Sequence, residues 1–508
     1  MTERSERGGS HRDDRGGRGY RGGSGGGDRG YRGGSGGGRG GGGRGGDRGY
    51  RDGERGRSRR VYDDEPRDGL LADLVGHLHA LDGRSYAAYK AIVGRYRAPA
   101  GWFLYIDRVQ ADPYAPPTRI HVDVPTDLHG LELLDEADLL ADADRRLAVG
   151  DFLTRELHAG FRGTALSIAS PGQEILQRSS IIVRPDEKKE GPSWVLEIRA
   201  RLALPAQGRS IQGHEASRIV GRDLVRELEE AMDLAGERGD RLVRHIATLE
   251  DHRALTATVA RNGWVSFLAD GSVLPRRSGV SDEPLDGGVP LESPESMAAT
   301  VELPHAGTVR GTVVEAGVNV IVGGGYHGKS TLLSAIERGV YPHVPGDGRE
   351  LVATVSDAVK VRAADGRAVT GVDLTPFISH LPAGRDTASF TTRNASGSTS
   401  QAASIIEAVE AGSTALLLDE DTSATNLLIR DSRMRELVAA EREPITPLVD
   451  RITALFRRRG VSTVMVMGGS GDYLDVADRV LLMDAYHLRD VTEQARRVVD
   501  AYDRAALV

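Results

Sequence analysis

The tightest constraint on this chain is a short apolar run that breaks into glycine and resumes as a helix. Asn319-Val320-Ile321-Val322 reads as a buried strand. Gly323-Gly324-Gly325-Tyr326-His327-Gly328-Lys329-Ser330 follows, and Thr331-Leu332-Leu333-Ser334-Ala335-Ile336 has helical apolar spacing. Glycines let successive backbone N–H groups converge on an anion, and the start of the next helix adds the positive end of its dipole. The stretch satisfies G-x-x-x-x-G-K-[ST] in the required strand-then-helix context. In that pattern Lys329 reaches the β- and γ-phosphates of a nucleoside triphosphate, and the Ser330 hydroxyl ligates Mg²⁺. The expected nucleotide contacts are Gly323, Gly324, Gly325, Tyr326, His327, Gly328, Lys329, Ser330 and Thr331. Glycine is common here, with 65 in 508 residues, but the N-terminal glycines follow no strand. Lysine is rare, five against 61 arginines. A compact ammonium is what a phosphate cradle needs, and a guanidinium fork substitutes poorly.

A second motif completes the chemistry. Thr414-Ala415-Leu416-Leu417-Leu418-Asp419-Glu420-Asp421 is an apolar strand ending in carboxylates, the Walker B pattern. Ligands collect at the carboxyl ends of parallel strands. Asp419 is placed to hold the Mg²⁺ shell, and Glu420 to orient and polarise the attacking water as the catalytic residue. From Val318 onward β-branched runs alternate with helical stretches, which predicts a parallel sheet with crossover helices. The strand Ser462–Met467 belongs to that rhythm.

The rest of the chain divides by composition. Residues 1–66 are an Arg/Gly-rich tail in which RGYRGGSGGG occurs twice, at 18–27 and 29–38, with Tyr20, Tyr31 and Tyr50 interspersed. Such a segment buries too little to offset its chain entropy and is expected to be disordered. Arginine on phosphates and tyrosine on bases make residues 1–60 a candidate RNA-binding arm, and a solubilising linker is the competing reading. The arm has sixteen arginines against eight acids, so it carries +8, and the remainder sums to −16 within an overall −8. Residues 67–250 read as an α+β domain. Helices are expected at Leu70–Leu81, Val220–Leu234 and Arg241–His252. Strands are expected at Trp102–Val109, Arg119–Val124, Ile181–Arg184 and Trp194–Leu202. The histidines there show no metal-ligand spacing. Gly263–Ala269 reads as a strand, and the basic Pro275-Arg276-Arg277-Ser278-Gly279 as a loop that either touches a nucleotide or nucleic acid or is a solvated turn.

There are no cysteines, which excludes disulfides and thiolate metal sites and fits a reducing compartment. No apolar run approaches the ~18–20 residues a membrane span needs, so no membrane insertion and a cytoplasmic location are expected.

Between the two motifs lies Ala395-Ser396-Gly397-Ser398-Thr399-Ser400-Gln401-Ala402, leading into the helical Ser404–Ala411. A Ser-Gly turn opening a helix ahead of Walker B resembles the signature motif of ABC ATPases, and Thr422-Ser423-Ala424-Thr425-Asn426 resembles their D-loop. Further strings, among them DRVQADPYAPPTR, GQEILQRSS, LPRRSGVSD and EPITPLVDRI, resemble a divergent soluble family, the predicted ATPases of the ABC class, which includes a protein associated with kinetoplastid mitochondrial RNA editing. The resemblance covers about 105–485. It implies an α/β P-loop NTPase core of ABC type with a mixed, largely parallel sheet at 251–490. A family-specific α+β domain at 67–250 would precede the core, and a C-terminal helix at 491–508 would follow it. It implies ATP as ligand and head-to-tail homodimers in which Ser396, Gly397 and Ser398 of one copy contact the γ-phosphate held by the other. It also implies that the further C-terminal domain of larger members is missing or vestigial.

Two departures bear on turnover. Gly468-Gly469-Ser470 stands where transporter-type proteins carry a switch histidine, which leaves Ser470 as the candidate sensor. No Gln loop is obvious, and Asp373 is the best substitute. Three functions remain open on sequence: an ATPase switch acting on RNA, an ATP-binding scaffold with little turnover that recognises a protein partner, and a P-loop kinase or transferase.

Overall fold

The computed structural model describes residues 67–506 apart from 188, 190–192, 380, 382–385 and 430–442. The Arg/Gly tail and its arm therefore lie outside the described residues. The described residues pack as one unit.

The N-terminal part is a sheet with helices on one face. Its strands are β1 (Arg67–Leu70), β2 (Gly94–Arg97), β3 (Phe103–Arg108), β4 (Thr118–Pro125), β5 (Leu166–Ser167), β6 (Ile181–Pro185) and β7 (Trp194–Leu202). Their order is β1-β2-β3-β4-β7-β5, with β6 also on β7. The pairing is antiparallel except for β1 with β2. Alternation builds it: Ile120, Val122 and Val124 of β4 and Leu196, Ile198, Ala200 and Leu202 of β7 point into the core. Helix α1 (Leu71–Ala80) buries Leu71, Leu74 and Leu78 at helical spacing. Helix α2 (Ala143–Gly160) buries Val149, Phe152, Leu153 and Leu157, and its start is capped by Asp142, whose side chain accepts from Arg145 N–H. The helix expected at Val220–Leu234 is a helical stretch, Gly213–Met232, with a π turn at Ile219–Asp223.

Helix α3 (Glu237–Arg261) is the seam of the molecule. Its first half packs Leu242, Ile246 and Leu249 into the N-terminal core. Its second half packs Leu255 and Val259 against Phe267, Val301 and Val313. The expected 250/251 junction falls inside it.

Beyond the seam, an antiparallel sheet of order β9-β10-β8-β12 is made by β8 (Trp264–Ala269), β9 (Ala298–Leu303), β10 (Gly307–Glu315) and β12 (Val352–Thr354). The central sheet contains β11 (Val318–Gly323), β13 (Val359–Val361), β14 (Ala415–Asp419), β15 (Ser462–Val466), β16 (Arg479–Asp484) and β17 (His487–Asp490). Its order is β13-β14-β15-β11-β16-β17, parallel except for the last pair. Its middle strands are buried on both faces, so Val320-Ile321, Leu416-Leu417-Leu418 and Val464-Met465-Val466 read as continuous apolar runs. Helix α4 (Lys329–Arg338) follows β11, and helix α5 (Gly397–Glu410) precedes β14. The chain closes on helix α6 (Thr492–Ala506). Among the described residues no helix is long and apolar enough to cross a membrane.

A buried histidine locks the seam to the core. The His252 ring lies with Nε2 3.1 Å from Gly339 O at the end of α4. Burial pushes the His252 imidazole down to about 4 and His343 down to about 3, with Arg349 adding to the second. Unfolded, both titrate near 6.5. The unfolded chain therefore takes up protons that the folded one refuses. Stability is complete above about pH 6.5 and falls toward pH 4, by up to ~1.4 kcal/mol per pH unit for each imidazole. Urea titrations at pH 7.5 and 5.0 check this, with a lower midpoint expected at pH 5.0. An unchanged midpoint would contradict it.

Candidate nucleotide site

The glycine-rich turn leaves β11 at the carboxyl edge of the central sheet and feeds α4. Gly323 sits at φ 147°, and a Cβ there would lie 2.3 Å from Met483 O on the neighbouring β16. Only glycine lets β11 run this close and turn this way. Tyr326, at φ 63°, is fully exposed at the tip of the loop. Lys329 folds back over the loop, and its Nζ donates to Gly323 O at 2.9 Å and Gly324 O at 2.8 Å. The ammonium thus sits over the loop backbone at the start of α4, where successive N–H groups and the helix dipole favour an anion.

His327 ties this loop to the β16–β17 turn. Its Nδ1 accepts from Ala485 N–H at 3.0 Å, and its carbonyl accepts from Tyr486 N–H at 3.0 Å. Ala485 and Tyr486 both have positive φ, 47° and 68°, in a two-residue hairpin turn that normally takes Asn-Gly. Such strain gathers where surrounding contacts hold it, typically at functional sites. The Tyr486 ring lies against Gly328, where an added Cβ would meet it at 2.8 Å.

Ser330 and Thr331 open onto a cavity of about 510 Å³ whose other walls include Tyr486, Arg276, Ser278 and Glu174. That volume lies in the ~300–1,000 Å³ range of small-ligand sites. The basic loop flagged in the sequence thus reaches the phosphate turn, although Arg276 itself is spent on the buried Asp347 at 2.7 Å. Glu174 of the N-terminal half pairs with Arg338 of α4 at 2.7 Å. Tyr486 is marked by no local motif and Glu174 only by its place in the GQEILQRSS string, and the fold brings both to the phosphate turn.

Asp419 ends β14, buried, and its Oδ1 accepts from Asp421 N–H at 3.3 Å. Strand β15 lies between β14 and β11, so the acidic strand reaches the phosphate loop across one intervening strand. Glu420 makes the crossing. Its Oε2 accepts from Gly468 N–H at 2.5 Å and Gly469 N–H at 3.0 Å, the turn that follows β15. A Cβ on Gly468 would lie 3.6 Å from that carboxylate and 4.0 Å from Lys329 Cε. Lys329, Glu420 and the Gly468–Gly469 turn therefore lie side by side at the carboxyl edge of the sheet. Ser470 is beside it but turns to its own loop, with its Oγ accepting from Asp472 N–H at 3.2 Å.

Ser396 is the N-cap of α5, with its Oγ accepting from Thr399 N–H at 3.4 Å, and it is exposed. Gly397 follows half-buried, whereas Ser398 is buried and donates to Asn426 Oδ1 at 2.7 Å. Gln401, fully buried, donates to Ser423 Oγ at 2.9 Å and accepts from Ala424 N–H at 2.7 Å. Helix α5 is thus stapled to the segment directly after Glu420. Asp373 caps its own loop by accepting from Thr375 N–H at 3.0 Å, and the cavity it lines contains no phosphate-loop residue.

The oxygens of Ser330 and Asp419 are the hard donors Mg²⁺ prefers, and Mg²⁺ is commonly held by one or two carboxylates plus substrate phosphates.

A glycine nest ahead of a lysine-led helix, with a carboxylate pair at the end of the next strand but one of a parallel sheet, defines a P-loop nucleotide-binding protein. The chain belongs to the ATPases of the ABC class: residues 238–506 match the family's P-loop domain, and 71–234 match its N-terminal domain. It is similar to the uncharacterized protein MJ1628 of Methanocaldococcus jannaschii, at 27% identity over 263 residues. The match covers 47% of this chain and 58% of that protein, so the chain spans little more than half of its relative's length. Among solved structures it is similar to cbiO1 from Clostridium perfringens, part of the ABC transporter complex cbiONQ, at 14% identity and a TM-score of 0.27 over 41% of this chain and 94% of that one.

Proposed function

We propose that this chain binds Mg²⁺-ATP in the phosphate loop and hydrolyses it, that two copies close head to tail around the nucleotide, and that this switch acts on RNA gathered by the Arg/Gly arm. The observation that carries the proposal is the meeting of Lys329, Glu420 and the Gly468–Gly469 turn at one edge of a parallel sheet. Lys329 leaves the carbonyls of Gly323 and Gly324 for the β- and γ-phosphates. Glu420 exchanges a glycine N–H for the attacking water, which it orients and polarises. Ser330 and Asp419 would hold Mg²⁺, which when bound neutralises phosphate charge. The nucleoside occupies the cavity beside Tyr486.

Ser396 and Gly397, at the exposed start of α5, face the partner copy's γ-phosphate in this scheme, while the inward-turned Ser398 fixes the helix to Asn426. ATP then favours the closed pair by contacts that its product lacks. Ser470 reports on the γ-phosphate through the glycine turn it follows.

A scaffold with little turnover is favoured by two observations: glycine and not histidine stands directly after Met467, and the Glu420 carboxylate is held by two backbone N–H groups. Phosphate release separates the two. Single-stranded RNA is expected to stimulate release by the full chain, and deletion of residues 1–60 is expected to blunt the stimulation. Release no faster than background, with or without RNA, would establish the scaffold.

A further inference from the structure

The outer face of the N-terminal sheet carries a charge arrangement that the sheet itself does not resolve. In the β4–β7 ladder Asp123 stands opposite Glu197, His121 opposite Arg199, and Arg119 opposite Arg201. Like charges directly opposite each other destabilise a sheet. The acidic pair is resolved internally, because Arg184 bridges Asp123 and Glu197 at 2.8 Å each. His121 is likewise engaged, 2.9 Å from Asp107 and stacked on Tyr105 with centroids 4.2 Å apart. Arg199 leans on Glu197 at 2.6 Å. Arg119 and Arg201 are both exposed, and among the described residues neither has a carboxylate partner. Ser167 of β5 lies on the other side of Arg201.

Arg119, His121, Arg199, Arg201 and Ser167 line a cavity of about 610 Å³ together with Arg178, Ser180 and a single acid, Asp107, which already faces His121. The cations sit on a body that is otherwise strongly acidic, since everything outside the first sixty residues sums to −16.

We propose that this face is a second nucleic-acid contact, in which backbone phosphates of a single strand take the place of the missing counter-ion between Arg119 and Arg201. Bidentate guanidinium recognition of phosphate fits the arginine pair. Arg199 lies two residues along β7, roughly 7 Å away at the rise of a strand, so the cations form a row, which suits a linear polyanion better than a single phosphate. The inference rests on the RNA reading above for the identity of the strand, but it places the contact in the folded body and not in the arm.

The test uses the full chain. Affinity for a single-stranded oligouridine is measured against salt for wild type, for Arg119→Gln/Arg201→Gln, and for Arg222→Gln/Arg244→Gln, which removes the same charge from exposed arginines elsewhere. Losing two phosphate contacts should flatten the log–log salt slope by about 1.4 for a single strand, and the control pair should leave it unchanged. The unliganded Arg119→Gln/Arg201→Gln protein should melt no lower than wild type, because a repulsion has been removed. An unchanged slope, an equal effect of the control pair, or a lower melting temperature would overturn the site. Uridine monophosphate binding as tightly as the oligonucleotide would overturn the polymer as ligand. If deletion of residues 1–60 abolishes binding while the sheet variant behaves as wild type, this inference fails and the arm stands. If wild type binds no RNA, both fail.

Discussion

Replacing Glu420 by glutamine is expected to slow phosphate release at least about a hundredfold while ATP still binds, the usual scale for loss of a positioned general base. Glutamine keeps the length of the side chain and one carbonyl oxygen. That oxygen can still accept from Gly468 and Gly469 N–H, so the turn after β15 should hold its shape. What is lost is the basic carboxylate that polarises water. With hydrolysis blocked, the closed pair should persist. Mass measurements of Glu420→Gln in Mg²⁺-ATP should give about twice the mass found without nucleotide. Unchanged phosphate release would remove Glu420 from the chemistry. A slow variant that stays at one mass would remove the head-to-tail pair and leave the hydrolysis standing.

Lys329→Ala should weaken ATP binding roughly a hundredfold, the upper part of the range for a hydrogen bond to a charged group. The ammonium rests on two loop carbonyls, so its removal deletes both the phosphate contact and the clasp that holds the loop closed. Lys329→Arg should not restore the affinity. A planar fork cannot occupy the small volume over Gly323 and Gly324 in the same way. Calorimetric titration of a non-hydrolysable ATP analogue reads both variants, and wild-type affinity in Lys329→Ala would contradict the assignment.

The phosphate loop was legible because its chemistry is contiguous. Strand, glycines, lysine and helix follow one another in sequence, and each residue type has its own physical reason. Walker B was legible for the same reason, and so were the strands buried on one face, such as β7, whose expected ends Trp194 and Leu202 are those found. Non-local relations were not legible. No local pattern says that β15 separates β14 from β11, or that Glu420 meets the backbone of Gly468 and Gly469 in place of the Ser470 side chain. Tyr486 follows an ordinary strand, and only the hairpin's strained turn and its bonds to His327 bring its ring to the cavity. Helix α5 was expected from Ser404 but begins at Gly397. The serines at its start favour loops in isolation, and the bonds from Ser398 and Gln401 to the segment after Glu420 override that preference. Helix α2 was missed because its apolar residues lie among Arg145, Arg146, Arg155 and Glu156, although the Asp142 cap was there to be read. The opposed arginines of β4 and β7 are invisible without the register.

The most direct test of the whole account is a structure of the chain with Mg²⁺ and a non-hydrolysable ATP analogue. The γ-phosphate should lie against Lys329 Nζ, released from the carbonyls of Gly323 and Gly324, with the metal between the Ser330 hydroxyl and the Asp419 carboxylate. An analogue bound elsewhere, with Lys329 still on those two carbonyls, would contradict it.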